Sequence, residues 1–121
     1  MVNFRKKLWK ITSEYIRKRD RGVCFTCGRY CEGQNYHAGH YIPSSICGIN
    51  LRYDERNIHG QCYNCNINLG GFGAMYERKL LEVSGKEKVD ELWEIKKQNG
   101  KWYQKDYQNK IEYYQNKLRE L

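Results

Sequence analysis

The chain has 121 residues and a net charge of +8, from 22 Lys and Arg against 14 Asp and Glu, a length that one domain accounts for. Its 40% hydrophobic share includes 11 Tyr, which excludes a core built from aliphatic packing alone and calls for a metal or disulfide staple. No run approaches the roughly 18 apolar residues of a membrane span, and the opening MVNFRKKLWK lacks the apolar stretch of a secretory signal. The expected setting is a reducing cytoplasm, with no membrane partner, where six cysteines are read as metal ligands before disulfides.

The expected organisation is one domain over residues 1–121: a basic N-terminal helix (1–21), a metal-stapled core (22–76) and a helical extension (77–121). In the first part Leu8, Ile11, Thr12, Tyr15 and Ile16 recur at helical spacing, and Asp20-Arg21-Gly22 supplies the stop. The same segment carries Arg5, Lys6, Lys7, Lys10, Arg17, Lys18, Arg19 and Arg21 against only Glu14 and Asp20. A cationic helix face of this density attracts a polyanion, and these eight side chains are the candidate DNA contacts; the alternative is a solvated, solubilising surface.

From Gly22 to Gly73 the composition shifts to Gly, Cys, Asn, His and Tyr. Cys24-x-x-Cys27 and Cys62-x-x-Cys65 are two C-x₂-C pairs, and two such turns complete a tetrahedral site for zinc. Gly28 and Asn64 place turn-capable backbone at the two pairs. Four thiolates saturate the ion, so this zinc is structural. Cys31 and Cys47 are left over; either serves as a small buried hydrophobe, and Cys31 is close enough in sequence to Cys27 to rival it as a ligand. All 3 histidines of the chain, His37, His40 and His59, lie between the two pairs, interleaved with asparagines. That clustering reads as a site.

After Gly70-Gly71-Phe72-Gly73 the pattern turns helical, with Met75, Tyr76, Lys79, Leu80 and Val83 on one stripe up to Ser84-Gly85. Val89, Leu92, Trp93 and Lys96 predict a further short helix closed by Asn99-Gly100. In residues 104–121 Tyr107, Ile111, Tyr114, Leu118 and Leu121 follow the spacing of a two-stranded seam. This seam offers homodimerisation; the alternative is a helix lying on its own domain.

The run Gly39-His40-Tyr41-Ile42-Pro43, then Arg56-Asn57-Ile58-His59, then Gln61-Cys62-x-x-Cys65-Asn66 resembles the HNH nuclease pattern. Together with Tyr15-Ile16-Arg17, Cys24-x-x-Cys27-Gly28, His37-Ala38-Gly39-His40 and Leu51-Arg52-Tyr53-Asp54-Glu55, it resembles the phage NinG/Rap family of recombination nucleases over roughly residues 9–95. The resemblance implies an α+β fold: a small zinc-stapled ββα-metal (HNH, treble-clef-like) core, endonuclease VII-like, with flanking N- and C-terminal helices. It implies a metal-dependent endonuclease that hydrolyses phosphodiester bonds in branched DNA such as Holliday junctions.

It also implies roles. His40 matches the general base, and a neutral imidazole at cellular pH suits that task. Asn57 matches the asparagine that ties the hairpin together and orients the base. Asn66, on the helix after the second cysteine pair, matches a ligand of the catalytic Mg²⁺ or Mn²⁺ through its carbonyl oxygen. Many HNH enzymes carry an acidic metal ligand immediately before the base, and here that position is Gly39. If residues 37–42 form a strand, His37 shares a face with Gly39, so His37 is the expected replacement ligand. His59 is a further candidate contact to phosphate or metal. Residues 44–56 are expected to form a loop that is mobile without DNA. Two other readings compete: a non-catalytic zinc module that binds nucleic acid, and a protein–protein adaptor built on a cysteine knuckle.

Overall fold

The computed structural model describes residues 2–121; Met1, the start of the expected N-terminal segment, lies outside the described residues. Helix α1 spans Phe4–Asp20. The Asn3 side chain accepts from the Lys6 N–H at 3.0 Å to cap its start. Arg17, Lys18 and Arg19 sit in its last turn, where the helix dipole favours positive charge. The stop falls where the sequence places it: Arg21 adopts the left-handed conformation with φ 55°, and Gly22 follows at φ 82°. Leu8, Thr12, Tyr15 and Ile16 are buried as their spacing predicts. Thr12 is tolerated there because its hydroxyl donates to Leu8 O at 2.7 Å. Full burial of Leu8 and Ile16 stabilises the fold by about 1.5–3 kcal/mol each.

Strands β1 (Tyr36–His40) and β2 (Ile58–Cys62) form one antiparallel pair. Its register sets Tyr36 opposite Cys62, His37 opposite Gln61, Gly39 opposite His59 and His40 opposite Ile58. Side chains alternate across the pair, so Ala38 and Ile58 face α1 while His37, Gly39, His59 and Gln61 face the other way. On the first face Leu8, Tyr15 and Ile16 pack with Ala38, Ile58 and the buried Tyr107, Ile111 and Tyr114 of α5 (Gln104–Arg119). On the second, Tyr41, Ile42, Cys47 and Leu51 pack with Tyr76 and Leu80 of α3 (Gly73–Ser84) and Val89 and Leu92 of α4 (Lys86–Lys96). The result is a mixed α+β arrangement of helices around one two-stranded sheet.

This packing bears on three expectations. In residues 104–121, Tyr107, Ile111 and Tyr114 of α5 are buried against α1 of the same chain, the alternative the sequence left open, while Leu121 stays exposed. From Cys47 on, residues 44–56 are docked: Cys47, Leu51 and Tyr53 are buried, α2 (Ile49–Arg52) forms within them, and the Tyr114 hydroxyl donates to Tyr53 O, while Ser44, Ser45 and Ile46 stay exposed. The buried apolar side chains hold that part of the segment down.

Arg19 is the third. Its guanidinium donates to Glu55 O at 3.1 Å, to Ile58 O at 2.8 Å and to Asp20 at 2.7 Å, and Asp20 Oδ2 in turn accepts from the Gly60 N–H at 2.7 Å. Arg19 therefore staples α1 to β2 rather than reaching outward to DNA. The other cations of the helix segment, Arg5, Lys6, Lys7, Lys10, Arg17, Lys18 and Arg21, are all exposed.

Candidate metal centre and active site

The first cysteine pair sits on a tight turn, in which Gly28 N donates to Cys24 O and Cys24 N to Arg29 O, both at 2.8 Å. Gly28 supplies the φ of 79° that closes it. The turn is pinned to the sheet by Phe25 N donating to Gly60 O at 2.8 Å. The second pair leaves the end of β2, where the Cys65 N–H points at Cys62 Sγ at 3.4 Å.

The sulfurs of Cys24, Cys27, Cys62 and Cys65 all lie within 4.8 Å of one another, and those of Cys27 and Cys62 are 3.8 Å apart. A tetrahedral zinc with bonds of about 2.3 Å has sulfur–sulfur edges of about 3.8 Å, so this donor set fits zinc. Burial opposes ionisation of Cys24, but the Thr26 hydroxyl and the Cys62 and Cys27 amides outweigh it and bring its pKa down to about 6. Burial pushes Cys65 up to about 12; a dication among the thiols offsets that cost. Cys31 is buried beside the cluster but belongs to no ligand group, and Cys47 donates to Gly48 O at 3.3 Å in the helical core.

His40 and Asn66 line one pocket of about 390 Å³ together with Trp9, Ala38, Ser44, Arg52 and Tyr53. His40 Nε2 is 2.8 Å from Arg52 O. A carbonyl only accepts, so Nε2 carries the proton and Nδ1 keeps its lone pair. The imidazole stacks on Trp9 of α1, with ring centroids 5.1 Å apart. Burial holds its pKa below the usual histidine value, with Arg52 adding to the depression against the pull of the Arg52 carbonyl. The ring is therefore neutral at pH 7.

Asn57 is fully buried and meets the Ile42 backbone in both directions, accepting from its N–H at 2.9 Å and donating to its carbonyl at 3.0 Å. It locks the chain leaving β1 to the chain entering β2. It is fully buried and is not among the residues that line the His40 pocket.

Asn66 lies on a short wide helical turn, Asn64–Asn68, ahead of α3, at the place where the resemblance implies a helix after the second cysteine pair; Gly70 and Gly71, both at positive φ, separate the turn from α3. Its Nδ2 donates to His37 Nδ1 at 3.0 Å, and His37 Nε2 donates to Gln34 O at 3.0 Å. Both nitrogens of His37 are thereby engaged, so the side chain expected to replace an acidic metal ligand is hydrogen-bonded to Asn66 and Gln34 O in this structure.

A β-carbon built on Gly39 would stand 1.9 Å from Gln61 Oε1 and 3.0 Å from Asn66 Oδ1. Glycine is required there because the Gln61 amide fills the space. Gln61 is fully buried; its Nε2 donates to Gly71 O at 2.9 Å and Thr26 Oγ1 at 3.1 Å, while its Oε1 has no hydrogen-bond partner.

His59 does not join this group. It stacks on Phe25 at 4.1 Å and donates from Nδ1 to the Tyr76 hydroxyl at 3.1 Å, which donates onward to Gly39 O at 2.8 Å. Burial, with Arg19 nearby, lowers its pKa to about 4. It lines a separate pocket with Arg19, Glu55 and Arg56. Trp9, Arg52, Gln61 and Tyr76 are site residues that sequence reasoning missed. Only Gln61, immediately before Cys62, carried a positional signal.

A four-cysteine cluster that could hold a metal such as zinc, a two-stranded sheet between helices and an outward cationic helix define a small α+β protein. The chain belongs to the family described as Bacteriophage Lambda NinG protein, which it matches over residues 1–121. It is 35% identical to Protein ninG of Escherichia phage 933W over 117 residues, covering 96% of this chain and 57% of that one. Identity to Protein ninG of Salmonella phage P22 is 35%, and to that of Escherichia phage lambda 34%, again over 96% of this chain and 56% of each relative. The chain thus spans little more than half the length of these curated relatives. No solved structure matches it. Among the described residues no helix is long and apolar enough to cross a membrane.

Proposed function

We propose that this chain is a metal-dependent DNA endonuclease of the HNH, endonuclease VII-like type, acting on branched DNA. One observation carries the reading: the free Nδ1 of a neutral His40 and the amide of Asn66 line the same open pocket. A nucleic-acid binder has no need of an imidazole tautomer fixed in this way. His40 Nδ1 takes a proton from water as the water oxygen bonds to the scissile phosphorus, the bond from phosphorus to the 3′ oxygen breaks, that oxygen takes a proton from solvent water, and His40 returns its own proton to solvent. The products carry a 5′ phosphate and a 3′ hydroxyl. Arg52, which lines the pocket, faces the phosphate as a fixed positive charge. Asn66 would hold Mg²⁺ or Mn²⁺ through its carbonyl oxygen; when bound, the cation supplies charge neutralisation at the phosphate. Because protonated His40 cannot act as base, the rate falls as pH drops through its lowered pKa.

The seven exposed cations of the N-terminal segment support DNA as the partner, and Trp9 joins that helix to the pocket. The branched substrate, of the Holliday-junction kind met in recombination, extends the resemblance to NinG/Rap nucleases to the whole reaction. It is tested by comparing cleavage of a labelled four-way junction with linear duplex and single-stranded DNA in Mg²⁺ or Mn²⁺. Preferential junction cutting supports it. Salt-sensitive binding without cleavage of any substrate would leave a zinc module that only binds nucleic acid.

A further inference from the structure

The amide of Gln61 is the second feature of this site that calls for a ligand. Its orientation is fixed from outside: Gly71 O can only accept, so Nε2 must face it and Oε1 must face the other way. Oε1 is then buried against Gly39 with no donor to meet it, a costly arrangement for a carbonyl oxygen. The Asn66 amide is fixed by similar logic. His37 Nε2 donates to Gln34 O, so His37 Nδ1 needs a donor, and Asn66 must present Nδ2 to it. That turns Asn66 Oδ1 toward the space above Gly39, where Gln61 Oε1 already points. Two amide oxygens held toward one small volume, without a hydrogen-bond donor between them, suit a hard cation that takes oxygen ligands.

We propose that Gln61 Oε1 and Asn66 Oδ1 together form the oxygen cradle for a divalent cation, Mg²⁺ or Mn²⁺, with Gly39 kept free of a side chain so that the Gln61 oxygen can occupy its place. This rests on the nuclease reading for its purpose and adds to it the ligand that Gly39 cannot provide. The same Gln61 side chain reaches Thr26, whose hydroxyl lies 3.4 Å from Cys24 Sγ. The cradle is thereby braced by the cysteine cluster. Both ligands are neutral, so binding by the protein alone is weak, and the DNA phosphate supplies the missing charge.

The test is Mn²⁺ titration of the zinc-loaded full chain, read by the electron paramagnetic resonance signal of free Mn²⁺. Zinc content and melting temperature verify the fold of each variant. Wild type binds Mn²⁺ saturably, and Gln61→Ala and Asn66→Ala weaken it at least tenfold. Gly39→Asp alone forces a β-carbon onto Gln61 Oε1 and lowers the melting temperature. Gly39→Asp combined with Gln61→Ala places a carboxylate in the vacated space and binds Mn²⁺ at least tenfold more tightly than wild type. Wild-type affinity in Gln61→Ala, absence of saturable binding in wild type, or a folded double variant that takes no Mn²⁺ would each overturn the proposal. Junction cleavage measured on the same samples separates the two ideas. Metal-dependent cleavage with undiminished Mn²⁺ binding in Gln61→Ala sinks the cradle alone, and Gln61-dependent binding without cleavage sinks the nuclease reading alone.

Discussion

Asn57 and Ile42, fifteen positions apart, are joined by a pair of buried hydrogen bonds that runs from one amide side chain to both polar groups of one backbone residue. A third bond, from Tyr41 N to Asn57 O at 2.8 Å, completes the clamp. Between the two partners the chain leaves β1, passes through α2 and returns as β2, so the clamp closes the loop that carries Arg52 to His40. Replacement by alanine leaves the Ile42 N–H and C=O unpaired away from water, at about 1–3 kcal/mol each. Asn57→Ala should therefore lose about 2–6 kcal/mol in urea unfolding. Asn57→Asp, which at neutral pH sets a buried carboxylate against the Ile42 carbonyl, should lose at least as much.

The cysteine cluster predicts one zinc per chain by atomic absorption, and a large loss of thermal stability on chelation. Cys24→Ser, Cys27→Ser, Cys62→Ser and Cys65→Ser should each lose the metal. Cys31→Ser and Cys47→Ala should retain it, since one lies outside the ligand group and the other sits in the helical core. A chain that keeps zinc without Cys62 but loses it without Cys31 would reassign the ligands.

The two kinds of cation on the N-terminal segment separate in a salt titration of DNA binding by fluorescence anisotropy. For Lys6→Ala, Lys7→Ala or Lys10→Ala, each lost phosphate contact lowers the salt slope by roughly 0.9 on duplex DNA. Arg19→Ala removes hydrogen bonds to Glu55 O and Ile58 O. Its expected effect is a lower melting temperature with an unchanged slope.

His59 should make the fold sensitive to acid. Its pKa is about 4 in the folded chain against 6.5 unfolded, so the unfolded state binds more protons between those values. Stability is complete above about pH 6.5 and falls as the pH drops toward 4, by about 3 kcal/mol from this group. His59→Phe keeps an aromatic ring against Phe25 and Tyr76 and removes the titration. The stability difference between the two proteins should shift in favour of the variant across that window; acid release of zinc is common to both and cancels. Parallel curves would mean that His59 is not held neutral by burial.

Local signals in the sequence carried much of this structure because they act over a few residues. The Asp20-Arg21-Gly22 stop, the stripe of Leu8, Thr12, Tyr15 and Ile16, and the two C-x₂-C turns each form where their own chemistry places them. Long-range geometry was less accessible. The α5 stripe gave no indication that α1 would cover it, and Arg19 looked like its neighbours until the fold brought Glu55 O and Ile58 O to it. The same limit applied at the site: alternation along β1 put His37 on the Gly39 face, but the bond from Asn66 that engages its Nδ1 depends on a turn 29 residues away. Gln61 stands beside Cys62 in the sequence, but its place against Gly39 follows from the strand register that sets it across from His37.

The proposed role of His40, with Nε2 tied to Arg52 O and Nδ1 free, is that of the base in a phosphodiester hydrolysis. Its most direct test is single-turnover cleavage of a four-way junction in Mn²⁺ by zinc-loaded wild type and His40→Ala, with and without added imidazole. The expected result is a rate loss of about 10²–10⁴-fold with DNA affinity and zinc content retained, and partial recovery when imidazole fills the space beside Trp9. A His40→Ala protein that cuts the junction at the wild-type rate would rule this role out.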